Sequence, residues 1–275
     1  MDLLTTPRAP HQTPASLPRA PSQAAWDAMT DAQRRAVVEG LPARLTEAEL
    51  TPSEGDAHFD AKAQGRETLR THFERSSRRI YVGAEIAVYY PDEDRFAPDI
   101  LAVTVVDPHP REKWVVSEEG RGVEWILEVL VGGDRHKDLE RNRARYARLR
   151  VPEYFVYDRR RSVVRGWRLP DRAIGIYQPI VAQQGVWRSE VLGLDLTLEG
   201  HRLRFRQGNA QLLAPSEIIL GLEDRVTDLV MAMEELEARA EAERERAEAE
   251  RERADIAEAR LAAVEAELRR LREGR

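Results

Sequence analysis

Val123-Glu124-Trp125-Ile126-Leu127-Glu128-Val129-Leu130, closed by Gly132-Gly133-Asp134 and followed after a helical stretch by Glu153-Tyr154-Phe155-Val156-Tyr157, decides how this chain folds. The first run is apolar at almost every position, as a strand covered on both faces must be, and the glycines end it. The intervening segment, about Lys137 to Leu149, has helical spacing. Strand, helix and strand together form a crossover unit, which makes the two strands parallel neighbours.

Outward from this unit the same logic continues. Asp99–Val106 is nearly all apolar and reads as a second central strand. Ile80–Tyr90 alternates, with Ile80, Val82, Ala84, Ile86 and Val88 on one side, the period of a half-buried strand. Pro91-Asp92-Glu93-Asp94 supplies a turn, and Asp107 to Gly122 a polar connection. Helices are expected from Ala25 to Glu39, capped by Ser22 or Thr30, and from Asp56 to Arg75. Short strands are expected over Val163–Leu169, Ala173–Ile180, Glu190–Leu196 and Arg202–Arg206, and Pro215-Ser216-Glu217 looks like a helix start. The fold class is α/β: a central mixed β-sheet flanked by helices.

Two acids break the apolar pattern. Asp99 follows Pro98 at the head of its strand, and Glu128 lies inside the next one. A buried carboxylate costs several kcal/mol unless it is paired, protonated or bound to a metal. Two of them on adjacent strands suit a divalent cation. Asp138, Asn142 and Tyr146 follow at i, i+4 spacing, so one helix face can close over the strand ends.

The bulk composition narrows the setting. The 275 residues include no cysteine, which excludes disulfides and thiolate metal sites and fits a reducing, cytoplasmic compartment. No apolar run reaches the length of a membrane span, and the N-terminus lacks the pattern of a secretory signal. Residues 1–24, rich in Pro, Ala, Thr and Gln, are expected to be disordered. The net charge of −6 sits wholly in the tail: residues 222–275 carry 17 acids against 11 arginines, leaving a neutral body.

That tail is the most regular part of the chain. Steps of four and three from Leu222 reach Val226, Leu229, Met233, Leu236 and Ala240, and resume through Leu261, Val264, Leu268 and Leu271. The seam is apolar at both ends and Glu/Arg/Ala-rich in the middle, which predicts a coiled coil and a homo-oligomer. A solitary charged helix held by i,i+4 Glu–Arg pairs is the plainer alternative. The domain layout is thus 1–24, 25–221 and 222–275.

Over roughly residues 45–220 the chain resembles the Uma family of bacterial restriction-endonuclease-like proteins, members of the PD-(D/E)XK nuclease superfamily. The matching residues are Pro98-Asp99-Ile100-Leu101, Glu128-Val129-Leu130, Asp138, Tyr146, Val151-Pro152-Glu153-Tyr154 running into Val156-Tyr157-Asp158, and the closing Leu192-Gly193-Leu194 and Leu203-Arg204-Phe205. The resemblance implies a restriction-endonuclease-like fold in which Asp99, Glu128 and the backbone carbonyl of Val129 hold a catalytic Mg²⁺ (Mn²⁺ is also suitable), with Asp138, Tyr146 and His58 in support. It also implies phosphodiester hydrolysis of a nucleic acid, DNA foremost.

The chain departs from the family pattern at the lysine that should attend the metal. Its two places hold Leu130 and Asn142, with Lys137 and Arg141 nearby on the helix. The family's Ser-Pro after the strand is Val131-Gly132, and its acid–His pair is Ala57-His58, with Asp56 or Glu54 as stand-ins. Arg141, Arg145 and Arg148 recur at helical spacing and are candidate phosphate contacts, as are Arg159-Arg160-Arg161, Arg165 and Arg168. Two functions follow: a Mg²⁺-dependent endonuclease oligomerised by its tail, or a catalytically inactive nuclease fold that binds nucleic acid or acts as a scaffold.

Overall fold

The computed structural model describes residues 17–45, 55–130 and 136–273. Two compact units divide at residue 215. The first holds helices α1 (Gln23–Asp27), α2 (Asp31–Gly40), α3 (Asp56–Arg75), α4 (Val116–Glu119) and α5 (His136–Arg148). Its strands are β1 (Ile80–Gly83), β2 (Ala87–Tyr89), β3 (Ile100–Thr104), β4 (Lys113–Val115), β5 (Trp125–Leu130) and β6 (Glu153–Asp158). They continue as β7 (Val163–Arg168), β8 (Gln178–Ile180), β9 (Trp187–Ser189), β10 (Leu194–Glu199), β11 (Arg202–Gln207) and β12 (Ala210–Gln211).

The central sheet has the order β1-β3-β5-β6-β7-β8. Its β5–β6 pair is parallel and joined by α5, as the crossover pattern requires, while every other pair in it is antiparallel. The mixed sheet flanked by helices is therefore present. Pleat alternation sorts its side chains into two cores. Ile100, Ala102, Trp125, Leu127, Val129, Phe155 and Tyr157 pack with Leu69 and Phe73 of α3 and with the antiparallel sheet β12-β11-β10-β9. Leu101, Val103, Ile126, Tyr154 and Val156 pack with Tyr146 of α5 and with the parallel β2–β4 pair.

Several expected elements are divided by local chemistry. The first helix breaks before Thr30, whose side chain and Gln33 form a reciprocal cap for α2. The single strand expected over Ile80–Tyr90 is two strands in different sheets, separated by Glu85 in the left-handed region (φ 50°). Its alternation runs unbroken through the bend, so periodicity alone hid it. The polar connection from Asp107 contains β4 and α4, and Glu190–Leu196 is a turn through Gly193 (φ 69°) leading into β10. Residues 17–24, expected to be disordered, carry structure: Ala20 is buried, and Arg19 pairs with Asp94 at 2.6 Å. Residues 1–16 lie outside the described part.

The second unit is one helix, α6 (Pro215–Glu273), which starts at the predicted Pro215 rather than at residue 222. Among the described residues no helix is long and apolar enough to cross a membrane.

Glu153 ties the six-stranded and four-stranded sheets of the first unit together. It is fully buried and accepts hydrogen bonds from Arg168 Nε (2.9 Å), Ser189 Oγ (2.5 Å) and the Glu190 amide (2.8 Å). Removing one partner of a buried charge network leaves the others unpaired. Glu153→Ala should lower unfolding free energy by about 3 kcal/mol in urea melts, with far-UV circular dichroism retained at zero denaturant.

Candidate active site

The β3–β5 register sets the two acids side by side. Ile100 faces Leu127 and Leu101 faces Ile126, so the next pair along is Asp99 and Glu128. Each acid holds the other's strand. The Val129 amide donates to Asp99 Oδ2 (2.7 Å), and the Asp99 amide donates to Glu128 Oε2 (3.3 Å). Glu128 shares pleat parity with Ile126, which turns its carboxyl toward α5, where the Tyr146 hydroxyl donates to Oε1 (2.6 Å). Asp99 is buried, and Glu128 keeps some solvent contact.

Desolvation, and then the charge of Asp99, push the Glu128 carboxyl up to about 8. Burial and the neighbouring Glu128 hold the Tyr146 hydroxyl well above the ordinary phenol value. At neutral pH the acid pair therefore keeps a proton that two isolated carboxyls would have released. A divalent cation satisfies the same deficit with two hard oxygen donors. Among the described residues no cluster of three or more His, Asp or Glu side chains forms a closed cage. A cation at this pair would keep positions for backbone oxygen and water, as Mg²⁺ prefers.

α3 brings a second set of groups that sequence reasoning largely missed. His58, Lys62, Gly65, Leu69 and Phe73 form its buried stripe. A Cβ on Gly65 would lie 3.0 Å from Ile100 Cδ1, so glycine lets the helix settle close to β3. One and two turns earlier, Lys62 Nζ stands 3.7 Å from Asp99 Oδ1, and His58 Nε2 stands 3.5 Å from Asp99 Oδ2. The His58 nitrogen is buried and has no hydrogen-bond partner. Lys62 also pairs closely with Glu85. Extending the β1–β3 register places Glu85 beside Asp99, so three acids line one end of three neighbouring strands. The overlooked signal was a lysine at spacing four and three inside an otherwise buried helical stripe.

The other candidates are placed less centrally. Asn142 lies one turn before Tyr146 on α5 and is partly buried. The side chains of Lys137 and Asp138, and residues 131–135, lie outside the described part. Arg145 stacks over the Phe96 ring (5.6 Å), and Arg148 binds both carboxylate oxygens of Glu93 (3.0 and 2.8 Å). Arg141 is exposed. Arg159 donates to the Ala57 carbonyl, Arg161 lies 3.6 Å from Asp158, and Arg168 serves Glu153. Much of the arginine content expected at phosphates is thus engaged within the protein.

The comparison with known families agrees with this geometry. The model of the Uma2 family, described as putative restriction endonuclease, matches residues 46–200, more than half of the chain. The chain belongs to the Uma2 family. No curated protein matches it. The Uma2 match spans α3, both acids and α5, and it ends within the β10–β11 hairpin turn, before α6.

The raised Glu128 gives a signed pH dependence. Between its ordinary value of 4.5 and about 8, the unfolded chain releases this proton and the folded protein keeps it. This group's contribution to stability is therefore lost as pH rises through that window. With EDTA present, Glu128→Gln should raise Tm over wild type by a margin that grows from pH 4.5 to 8 and then levels. Thermal melts at several pH values check this.

Proposed function

We propose that the Asp99–Glu128 pair binds a divalent cation, Mg²⁺ or Mn²⁺, and that the domain hydrolyses phosphodiester bonds in nucleic acid, DNA foremost. The observation that carries this is the pair itself: two carboxyls locked face to face by backbone amides at one end of neighbouring strands. When bound, the cation supplies Lewis-acid polarisation of the phosphate and lowers the pKa of water. Membership of a nuclease family supports the substrate class.

In this reading Asp99, Glu128 and the Val129 carbonyl hold the cation. Tyr146 keeps Glu128 oriented, and the Val129 amide does so for Asp99. Water attacks phosphorus, one P–O ester bond breaks, and the departing sugar oxygen leaves as the alcohol after taking up a proton. Asn142, on α5, would hydrogen-bond water or phosphate, and His58 would steady Asp99. Glu128→Ala and Asp99→Asn should each reduce Mg²⁺-dependent cleavage of supercoiled plasmid by roughly 100-fold or more. Wild-type protein that leaves plasmid and single-stranded DNA uncut in both Mg²⁺ and Mn²⁺ would refute the proposal and favour the binding or scaffold role.

The tail helix acts as an oligomerisation element in the same proposal. α6 has 59 residues, a length of about 90 Å. Leu222, Val226, Leu229, Met233 and Leu236 are all more than half exposed on the single chain, as are Leu261 and Val264. An apolar seam at a/d spacing is covered when a second copy of the helix lies along it. Two linked domains would bring two sites to one duplex. Leu229→Glu with Leu236→Glu in the full chain should convert an oligomer into a monomer in analytical ultracentrifugation. An unchanged mass would count against the seam.

A further inference from the structure

We propose that Lys62 of α3 is the cation serving the Asp99–Glu128 site, in place of a lysine on α5, and that Glu85 positions it. The inference rests on the phosphodiester-hydrolysing reading above.

Lysine is rarely buried, yet Lys62 is only 9% exposed. Its ammonium carries three donors. One is spent in the close pair with Glu85. The contact to Asp99 Oδ1, at 3.7 Å, is an ion pair beyond hydrogen-bond length. Among the described residues no other acceptor claims the remaining protons, so the group can donate to a ligand without leaving its seat.

Among the described residues, three neighbouring cations are committed elsewhere. Arg145 lies over Phe96, Arg148 is on Glu93, and Arg159 is on the Ala57 carbonyl. Asn142, the α5 residue one turn from Tyr146, carries no charge. Apart from His58, Lys62 is the described basic residue paired with either acid of the site.

Glu85 explains how the ammonium stays in place. It adopts φ 50°, unusual for a residue with a side chain, and its amide donates to the Pro98 carbonyl (3.1 Å) beside Asp99. Its half-exposed carboxylate pairs closely with Lys62. A divalent cation on Asp99 and Glu128 would repel Lys62, and Glu85 opposes that displacement. The ammonium then stands beside the cation, where it can hold an attacking water by a hydrogen bond and offset charge building on the phosphate oxygens.

The test combines plasmid cleavage in Mg²⁺ with Mn²⁺ binding followed by electron paramagnetic resonance, on the full chain. Lys62→Met should reduce cleavage by about 100-fold while Mn²⁺ affinity stays level or tightens, because a repelling charge is gone. Adding Asn142→Lys to Lys62→Met should recover part of the lost rate. Glu85→Gln should lower cleavage with Mn²⁺ affinity retained. If Lys62→Met melts early, Lys62→Gln at lower temperature carries the same comparison.

Cleavage by Lys62→Met within about threefold of wild type would overturn the assignment. So would parallel loss of cleavage and Mn²⁺ binding with no rescue by Asn142→Lys, which would make Lys62 a prop for Asp99. Wild-type protein that neither cleaves nor binds Mn²⁺ would instead remove the hydrolytic reading itself, and the role of Lys62 with it.

Discussion

Two carboxyls forced together at the ends of neighbouring strands are the constraint around which this domain is arranged. Asp99 and Glu128 meet because β3 and β5 pair antiparallel in one register, and each is gripped by an amide of the other's strand. Burial and the charge of Asp99 push the Glu128 carboxyl up, and the pair is met by a phenol from α5 and by an ammonium and an imidazole from α3. The phenol and the two basic groups reach the acids from two helices far apart in the chain.

The rest of the first unit keeps that end of the sheet rigid. α3 approaches β3 closely because residue 65 has no side chain, and its buried stripe then delivers Lys62 and His58 at the right height. On the other face, Tyr146 is wedged between Phe96 and Tyr154, so its hydroxyl has one place to point. Glu153 fastens the four-stranded sheet to the central one. A site assembled on strands and helices holds its geometry better than one carried on loops.

α6 follows different physics. It has no core of its own, and an isolated helix of that composition gains little from i,i+4 ion pairs such as Arg239–Glu235. In the proposed self-association its exposed apolar seam would be covered by a second copy of the helix. Mass action would then couple the concentration of the chain to the number of sites held together.

Much of this was legible in the residue order. The apolar run that Asp99 opens and the one that holds Glu128, the crossover between β5 and β6, α3 at Asp56–Arg75 and the heptads of α6 are all local patterns with a fixed period. An acid inside an apolar strand announced itself, because burial without a partner is costly wherever it occurs. What periodicity could not carry was any feature made by a bend or by two distant segments meeting. The alternation through Ile80–Tyr90 passes unbroken over Glu85, although the backbone there turns to leave the sheet. Lys62 reads as one more charge on a helix until α3 is laid against β3. The sequence by itself determined the acids, their strands and the tail's seam. Only the tertiary structure decided which cation stands beside the acids, because a side chain's charge is local while its neighbours are set by packing.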